Sequence, residues 1–296
     1  MSGYYACLLA LFAIAGALCG AFAVPKLADA ALKRAYRRNL AWWKSSFADF
    51  VAYREKHPDE LPLPSEKGAD GACGIWLADA LSLAHQGSLA RERAAQLAEA
   101  GLKVDPTAAE RTESEQAKRC SFKATALQRV LLGLACAAAF AMLPGLGVSH
   151  ALEALVACCV LAMLVAVACD LRARMIPIEC CLAIAIAGGM FQLLHGGLRA
   201  FCVGMGAAVV VIIVCWVAKC VLKARGRAVG GGDIRCMAAL ALATGPGALA
   251  GATACYLAAA GFSIAGLAMR KLRFEDGLPM APFLALWLVF GGMVIV

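Results

Sequence analysis

Apolar stretches of about twenty residues recur along this chain and constrain its fold more than any other feature. Apolar residues make up 62% of the 296 residues, above the roughly half that is typical of soluble domains. Because a helix needs about 20 apolar residues to cross a bilayer, we predict an all-α, polytopic membrane protein with about eight transmembrane helices. The predicted spans are Tyr4–Val24, Ala124–Leu143, Ala151–Cys169, Met175–Leu194, Ala200–Ala218, Cys236–Ala250, Gly251–Met269 and Leu278–Val296.

The distribution of basic residues predicts the orientation of these spans. Lys and Arg follow the first span and cluster near 172–174, 219–235 and 270–273, whereas the intervening loops at 144–150, 195–199 and 245–247 contain only Arg199. By the positive-inside rule, both termini should lie outside and the segment after the first span should lie in the cytoplasm. No Lys or Arg precedes the first span, so we expect a membrane anchor there and not a cleaved signal peptide.

The chain is therefore predicted to have three parts, which are an N-terminal anchor (1–24), a helical cytoplasmic insert (25–123) and a transmembrane core (124–296). The insert contains 14 of the 20 acidic residues. Apolar residues recur there at helical spacing, which fits either an amphipathic helix on the membrane surface or a helix packed into its own small domain. They are Leu32, Tyr36, Leu40, Trp43 and Phe47. His57–Pro58 should end this helix, and further helices are predicted over 75–102 and from Asp105–Pro106 onward.

Two aspartates stand out among the few acidic residues of the apolar part. Asp170 ends the third predicted span and Asp233 begins the sixth, so both should lie on the same side of the membrane. Two carboxylates a few ångströms apart share a proton, and the ionised one can then activate water while the neutral one donates to a carbonyl oxygen. Gly230 and Gly232 would allow close approach of the backbone.

The residues alone leave other roles open for these aspartates. Asp233 could be only an N-cap residue of the following helix. Asp170 could be only an interfacial ion-pair partner of Arg172 or Arg174. Acidic residues in apolar segments are also typical of ion or substrate pathways in transporters.

Three short motifs then indicate a family. The sequence GlyGlyGlyAsp at 230–233, followed by Ile234 and Arg235, resembles the GxGDxK motif of type IV prepilin peptidases, which are GxGD intramembrane aspartyl peptidases. Asp170 is followed by Ile176–Pro177, as the first aspartate of that family is followed by Ile-Pro. LeuProMetAlaProPheLeuAla at 278–285 is similar in spacing to the string that opens the family's last span. The resemblance extends from about residue 125 to the C-terminus.

The resemblance implies an aspartic endopeptidase whose catalytic pair is Asp170 and Asp233. Its substrates would be prepilin-like or pseudopilin-like proteins, cut after a short basic leader at the cytoplasmic face of the bacterial inner membrane. Membrane lipids are expected as partners and nucleic acid is not, while the oligomeric state is not predicted. Arg235 replaces the family's Lys and Ile178 its usual Asn. The supporting motif residues would be Gly230, Gly232, Arg235, Ile176, Pro177, Pro279 and Pro282.

The insert departs from the family in its cysteines. Many bacterial members carry two CxxC pairs in their first cytoplasmic segment, linked to bound zinc and to N-methylation of the product, but this segment has only Cys73 and Cys120. The sequence therefore predicts no metal site and no cofactor, and it gives no support for methylation. Eleven of the 15 cysteines lie from Cys136 onward, where they are expected to act as small hydrophobic residues.

Two further functions remain alternatives to the peptidase, namely a polytopic transporter and a non-catalytic assembly scaffold that uses the same acids. A transporter predicts acids nearer mid-membrane and often inverted repeats, whereas both aspartates lie at span ends. Because the loops beside the spans are basic, we expect that charge does not attract a basic leader to them and that a substrate helix docks between the spans.

Overall fold

The chain is built from α-helices in this computed structural model, which describes residues 2–58, 60–64, 68–85, 89–109, 111–223, 230–269 and 278–292. No β-strand occurs within those ranges, which agrees with the predicted all-α class. The helices are α1 (Ser2–Leu18), α2 (Val24–Lys56), α3 (Ala69–His85), α4 (Arg91–Glu99), α5 (Glu113–Arg119), α6 (Ala126–Met142), α7 (His150–Ala173), α8 (Ile178–Lys223), α9 (Gly231–Thr244), α10 (Ala248–Ala268) and α11 (Ala281–Gly292).

Five helical stretches of the described chain are long and apolar enough to cross a membrane, judged by length and composition. They are Ala6–Lys56, Ala126–Leu146, His150–Ala173, Ile178–Val221 and Gly231–Ala268, and Ala281–Gly292 is a shorter apolar helix. Two of the stretches are interrupted where the sequence predicts loops, at Gly197 (φ 68°) and at the 3₁₀ turn Gly245–Gly247. The number of eight crossings stays a prediction. Of the predicted basic-loop residues, Arg225, Arg227, Arg270, Lys271 and Arg273 lie outside the described residues.

At two of the predicted span boundaries, the helices begin or end elsewhere. The first span was expected to end at Val24, but the helix continues into α2 through a π-helical turn at Cys19–Ala23. Pro25 lacks an N–H and therefore removes one helical hydrogen bond, and the wider π turn before it accommodates this loss. The sixth span was expected over Cys236–Ala250, but α9 begins at Gly231 and ends at Thr244, because the Gly-Pro-Gly sequence interrupts the helix.

Glycines bring α9 against both halves of α8. An ideal Cβ built on Gly188 would overlap Ala243 Cβ and lie 2.6 Å from Ala243 Cα, and one on Gly204 would lie 2.7 Å from the Leu242 carbonyl oxygen. The chain reverses at Gly197, and the two halves of α8 therefore contact each other. The Phe201 ring of the second half lies 3.4 Å from the Cβ position of Gly189 in the first half. Small residues permit this close approach of helix backbones, which is the main source of packing between apolar helices in lipid.

Buried polar groups satisfy the backbone where α9 is interrupted. The Gln192 side chain, 2% exposed, donates from Nε2 to the Ala243 carbonyl oxygen at 2.7 Å. Thr244 Oγ1 donates to the Leu240 carbonyl at 2.8 Å and accepts a hydrogen bond from the Trp287 indole N–H at 3.3 Å. A broken helix in an apolar environment needs such partners for its freed carbonyls, so these side chains stabilise the interruption.

Gln192→Leu should therefore destabilise the protein by about 1–3 kcal/mol, because it leaves the buried Ala243 carbonyl without its donor. Unfolding midpoints in a detergent titration would measure the change. Met190→Leu, at an exposed position of the same helix, is the matched control and should unfold like the unaltered protein. Equal midpoints for the two variants would contradict the role given to Gln192.

Residues Lys33–Ser121 form one compact unit, and Met1–Leu32 together with Phe122–Val296 form the other. Trp43 and Phe50 of α2 pack in the core of the Lys33–Ser121 unit with Trp76 of α3 and Leu97 of α4. The ring centroids of Trp43 and Trp76 are 5.2 Å apart. Because these α2 side chains are buried within the unit, the structure favours the small-domain alternative over a helix lying on the membrane surface.

The insert helices match the sequence expectations only in part. α2 ends at Lys56, directly before His57–Pro58, as predicted. The single helix expected over 75–102 is wrong, because α3 ends at His85 and the backbone of Ala90, directly before α4, is extended, with φ −64° and ψ 145°. The helix expected from Asp105–Pro106 is only a 3₁₀ turn, which the Asp105 carboxylate closes by accepting the Thr107 N–H at 2.8 Å. The Thr107 hydroxyl also donates to this carboxylate at 2.6 Å, and this hydrogen bond, followed by the one from the N–H, lowers the pKa of Asp105.

Candidate active site

Asp170 lies in the last turn of α7 and is buried, with 5% of its surface exposed. Arg174 ends this helix in the left-handed conformation, with φ 53° and ψ 44°, and its N–H donates to the Asp170 carbonyl oxygen at 2.8 Å. A non-glycine residue in this conformation costs about 1–2 kcal/mol. The result is a sharp change of chain direction four residues after the carboxylate.

The segment that follows is Met175–Pro177, which has no regular structure and leads into α8. Ile176 and Pro177 are both buried. The Pro177 carbonyl accepts the Cys180 N–H at 3.1 Å in the first turn of α8, which begins at Ile178. Pro177 thus stands directly before the helix start, where its fixed φ suits the entry into a helix.

Asp233 is the third residue of α9, and Gly230 is the N-cap residue, with φ −62° and ψ 124°. The alternative that Asp233 itself is the N-cap is therefore wrong, because helical geometry begins two residues before it. A Cβ on Gly230 would lie 2.7 Å from Asp233 Oδ2. The carboxylate therefore occupies space that a side chain at position 230 would take.

A contact between Gly232 and Ile176 joins the two aspartate motifs. The Cβ position of Gly232 lies 3.4 Å from both Cβ and the carbonyl oxygen of Ile176. The residue before Asp233 therefore packs against the segment that follows Asp170. The charge of Asp170 also acts on Asp233, so the two carboxylates belong to one site.

The third motif, at 278–285, contacts Asp170 through the N-terminus of α11. The Ala281 N–H donates to Asp170 Oδ2 at 2.9 Å, and the Met280 N–H also bonds to this carboxylate. Pro282 is the second residue of α11, where a helix does not need the missing N–H. Pro279 and Pro282 are both partly buried beside this helix start. All three sequence motifs therefore converge on Asp170.

The two arginines near the site have different environments. Arg235 is exposed, and its Nε donates to the Gly231 carbonyl oxygen at 2.9 Å within the first turn of α9. Arg235 therefore stabilises the first turn of α9, which contains Asp233. Arg174 interacts electrostatically with Asp170, and the ion-pair alternative stays a prediction.

A pair of buried thiols beside Asp233 was missed in the sequence. Cys181 of α8 and Cys236 of α9 hydrogen-bond to each other, and both thiols interact electrostatically with Asp233. The three-residue spacing of Asp233 and Cys236 on a helix could have indicated one shared face. Nothing in the sequence indicated that Cys181 lies next to them. Among the side chains that the structure describes, no three His, Cys, Asp or Glu residues are grouped as metal ligands would be.

Comparison with known proteins gives one match. Residues 155–296 match the family model of the type IV leader peptidase family, named Peptidase_A24. Searches of curated proteins and of solved structures gave no match. The matched range includes both aspartates and all three motifs that converge on Asp170. Through these residues, the C-terminal part of the chain resembles the type IV leader peptidase family.

Proposed function

We propose that this membrane protein is an aspartic endopeptidase in which Asp170 and Asp233 activate water to cleave the leader of a prepilin-like or pseudopilin-like protein. The family match supports a peptidase that processes prepilin-like substrates. The identity of the catalytic pair, the mechanism and the membrane face are our proposal. N-methylation of the product is not included in it, because the insert lacks the CxxC pairs associated with that activity in the family.

The observation that carries the proposal is the meeting of three sequence motifs at two acids. The hydrogen bond from Ala281 to Asp170 and the contact between Gly232 and Ile176 connect segments that are far apart in sequence. A merely structural acid would need a partner, but it would not need a second carboxylate beside it. Two neighbouring carboxylates repel each other when both are ionised, so their juxtaposition favours a shared proton.

In the proposed reaction, the ionised carboxylate takes a proton from a water molecule, and the water oxygen attacks the scissile carbonyl carbon. The neutral carboxylate donates a hydrogen bond to the carbonyl oxygen, which becomes the hydroxyl of a tetrahedral intermediate. Collapse of this intermediate breaks the C–N bond, and the leaving amine takes up a proton. Backbone N–H groups hold Asp170 in place through Ala281 and Met280, while Gly230 leaves room for Asp233 to adjust.

The substrate would present its leader on the cytoplasmic side of the bacterial inner membrane. The basic residues near 172–174 and 219–235 support this orientation through the positive-inside rule. Both aspartates stand at helix ends, since Asp170 lies in the last turn of α7 and Asp233 in the first turn of α9. Such positions suit cleavage near the membrane surface better than transport through its middle.

Co-expression with a prepilin from the same genome tests the proposal. Intact-mass measurement of the product should show a protein shortened by its leader, with cleavage absent when the peptidase gene is omitted. The same spectrum reports any added methyl group at the new N-terminus, and none is expected. An uncut prepilin in cells whose membranes contain the folded protein would overturn the proposed function and favour a scaffold.

A further inference from the structure

A groove in the Lys33–Ser121 unit has no part in the proposed chemistry. It lies between α2 and α3 and has a volume of about 710 Å³. Sites for small ligands and short peptide segments commonly measure roughly 300–1,000 Å³, so the groove is large enough to hold several side chains. The insert has no zinc-ligand pairs, so this groove is a candidate for another binding function.

The groove carries a negative charge in a basic protein. Asp49 of α2 and Asp70 and Asp79 of α3 line it, together with Lys56 and His57. With His57 neutral, three carboxylates and one ammonium group give a net charge of −2, whereas the whole chain has a formal charge of +8. All three aspartates are exposed, so a ligand can reach them.

Aromatic rings form much of the remaining wall. Trp42 is 52% exposed in the groove, and Tyr53 and Trp76 line it as well. A Lys or Arg side chain gains about 0.5–1 kcal/mol when it lies over an exposed aromatic face, and Trp is the best such face. Carboxylates beside tryptophan rings therefore form a surface that selects cations.

One wall residue also has an unused hydrogen-bond donor. Trp76 is only 3% exposed, and its indole N–H is buried with no hydrogen-bond partner. The neighbouring Trp43 differs, because its indole N–H donates to Gln96 Oε1 at 3.0 Å. Because the Trp76 N–H has almost no accessible surface, a ligand in the groove cannot reach it, and Trp76 contributes only its ring to the wall.

We propose that this groove binds the basic segment of the substrate's leader, an inference that rests on the proposed function. Lys or Arg side chains of the leader meet the three aspartates and the exposed face of Trp42. Anionic lipid headgroups and phosphates are repelled by the same carboxylates. Under this proposal, the insert recognises the charge of the leader. This differs from the expectation that charge has no part in attracting the leader, which was drawn from the basic loops beside the spans.

Binding is measured on the full chain in detergent, in an Asp170→Asn background that prevents cleavage. The probe is a fluorescent synthetic peptide with four lysines, and its counterpart has glutamine at those positions. Asp70→Asn/Asp79→Asn should raise the Kd for the lysine peptide about 5–10-fold at low salt and reduce its salt dependence. Glu55→Gln/Glu99→Gln removes the same charge from exposed positions outside the groove and should change the Kd less than about twofold.

Trp42→Leu provides a second variant, which removes an exposed aromatic face of the groove and keeps an apolar side chain. It should weaken binding of the lysine peptide by about 2–5-fold, as expected for the loss of one cation–π contact at an exposed site. A Kd that neither the Asp70→Asn/Asp79→Asn variant nor Trp42→Leu changes would overturn the inference. Equal affinity for the lysine and glutamine peptides would do the same.

The cleavage assay separates this inference from the proposed function. With Asp170 restored, the aspartate variants should raise KM and leave kcat unchanged, because they weaken binding of the leader and do not alter the two reacting carboxylates. Normal KM values with active cleavage would overturn the groove and leave the peptidase intact. Absence of cleavage by the unaltered chain would overturn the peptidase, and charge-dependent peptide binding would still support the groove as a cation-binding surface.

Discussion

Asp170→Asn and Asp233→Asn are each expected to lower kcat for leader cleavage by about 10²–10⁴-fold, the usual contribution of a general acid or base. Asparagine keeps the size of the side chain but can neither take a proton from water nor pass one to the substrate. Because the two acids act as a unit, the double variant should be hardly slower than either single variant. Single-turnover cleavage of a purified prepilin in detergent would measure these rates.

Glu153→Gln is the matched control for this experiment. Glu153 is a buried acid in the same helix as Asp170, near the opposite end of α7, and its Oε2 lies 2.8 Å from His150 Nδ1. Since it is far along the helix from the proposed site, its replacement should leave kcat within about threefold of the unaltered value. Cleavage at the normal rate by either aspartate variant would contradict the two-carboxylate mechanism.

Gly188→Ala is expected to destabilise the protein by about 1–3 kcal/mol or more, the range for adding atoms to a packed interior. The added methyl would overlap Ala243 Cβ and approach its Cα to 2.6 Å, so a helix backbone must move. Rotation of a side chain cannot relieve such a contact. Unfolding in a detergent titration would show the loss as a lower midpoint.

Gly206→Ala tests whether the effect comes from the contact or from glycine itself. Gly206 lies in the same helix, and no atom lies within 4 Å of its Cβ position. Alanine is the better helix former by up to about 1 kcal/mol, so this variant should be neutral or slightly more stable. Equal destabilisation by both replacements would show that the Gly188–Ala243 contact is unimportant. We also expect Gly188→Ala to slow cleavage, since α8 and α9 carry the two segments that meet at Ile176 and Gly232.

Much of the candidate site was predictable because its chemistry depends on short motifs. Asp170, Ile176–Pro177 and Gly230–Asp233 were identified from their sequence context, and the count of spans predicted that both acids lie on one side. The reversal at Gly197 and the interruption at Gly245–Gly247 were predictable as well, because glycine and proline mark breaks in long apolar runs.

Contacts between distant segments were not predictable in the same way. The buried Gln192 satisfies a carbonyl of α9, and Cys181 pairs with Cys236, yet neither partner can be inferred from spacing along one helix. The structure of the insert was even less predictable. Its charges and aromatic residues indicated a helical segment, but they did not indicate the groove that Asp49 and Asp79 both line. Such arrangements depend on how helices pack, and local patterns do not determine that.

The shortness of α9 has a consequence for how water reaches the site. Its 14 residues, at about 1.5 Å each, give a helix of about 21 Å, whereas the hydrocarbon layer is about 30 Å thick. In the predicted eight-crossing arrangement, α9 is therefore about 9 Å shorter than the hydrocarbon layer. The neighbouring helices bury half of its residues and partly bury most of the others, so protein and not lipid surrounds it. Hydrolysis consumes water, and the short helix carries Asp233 in its first turn. Under the proposed function, the interruption at Gly245–Gly247 would place one end of α9 below the level of the lipid headgroups, so water would reach this end through the protein and not through the bilayer.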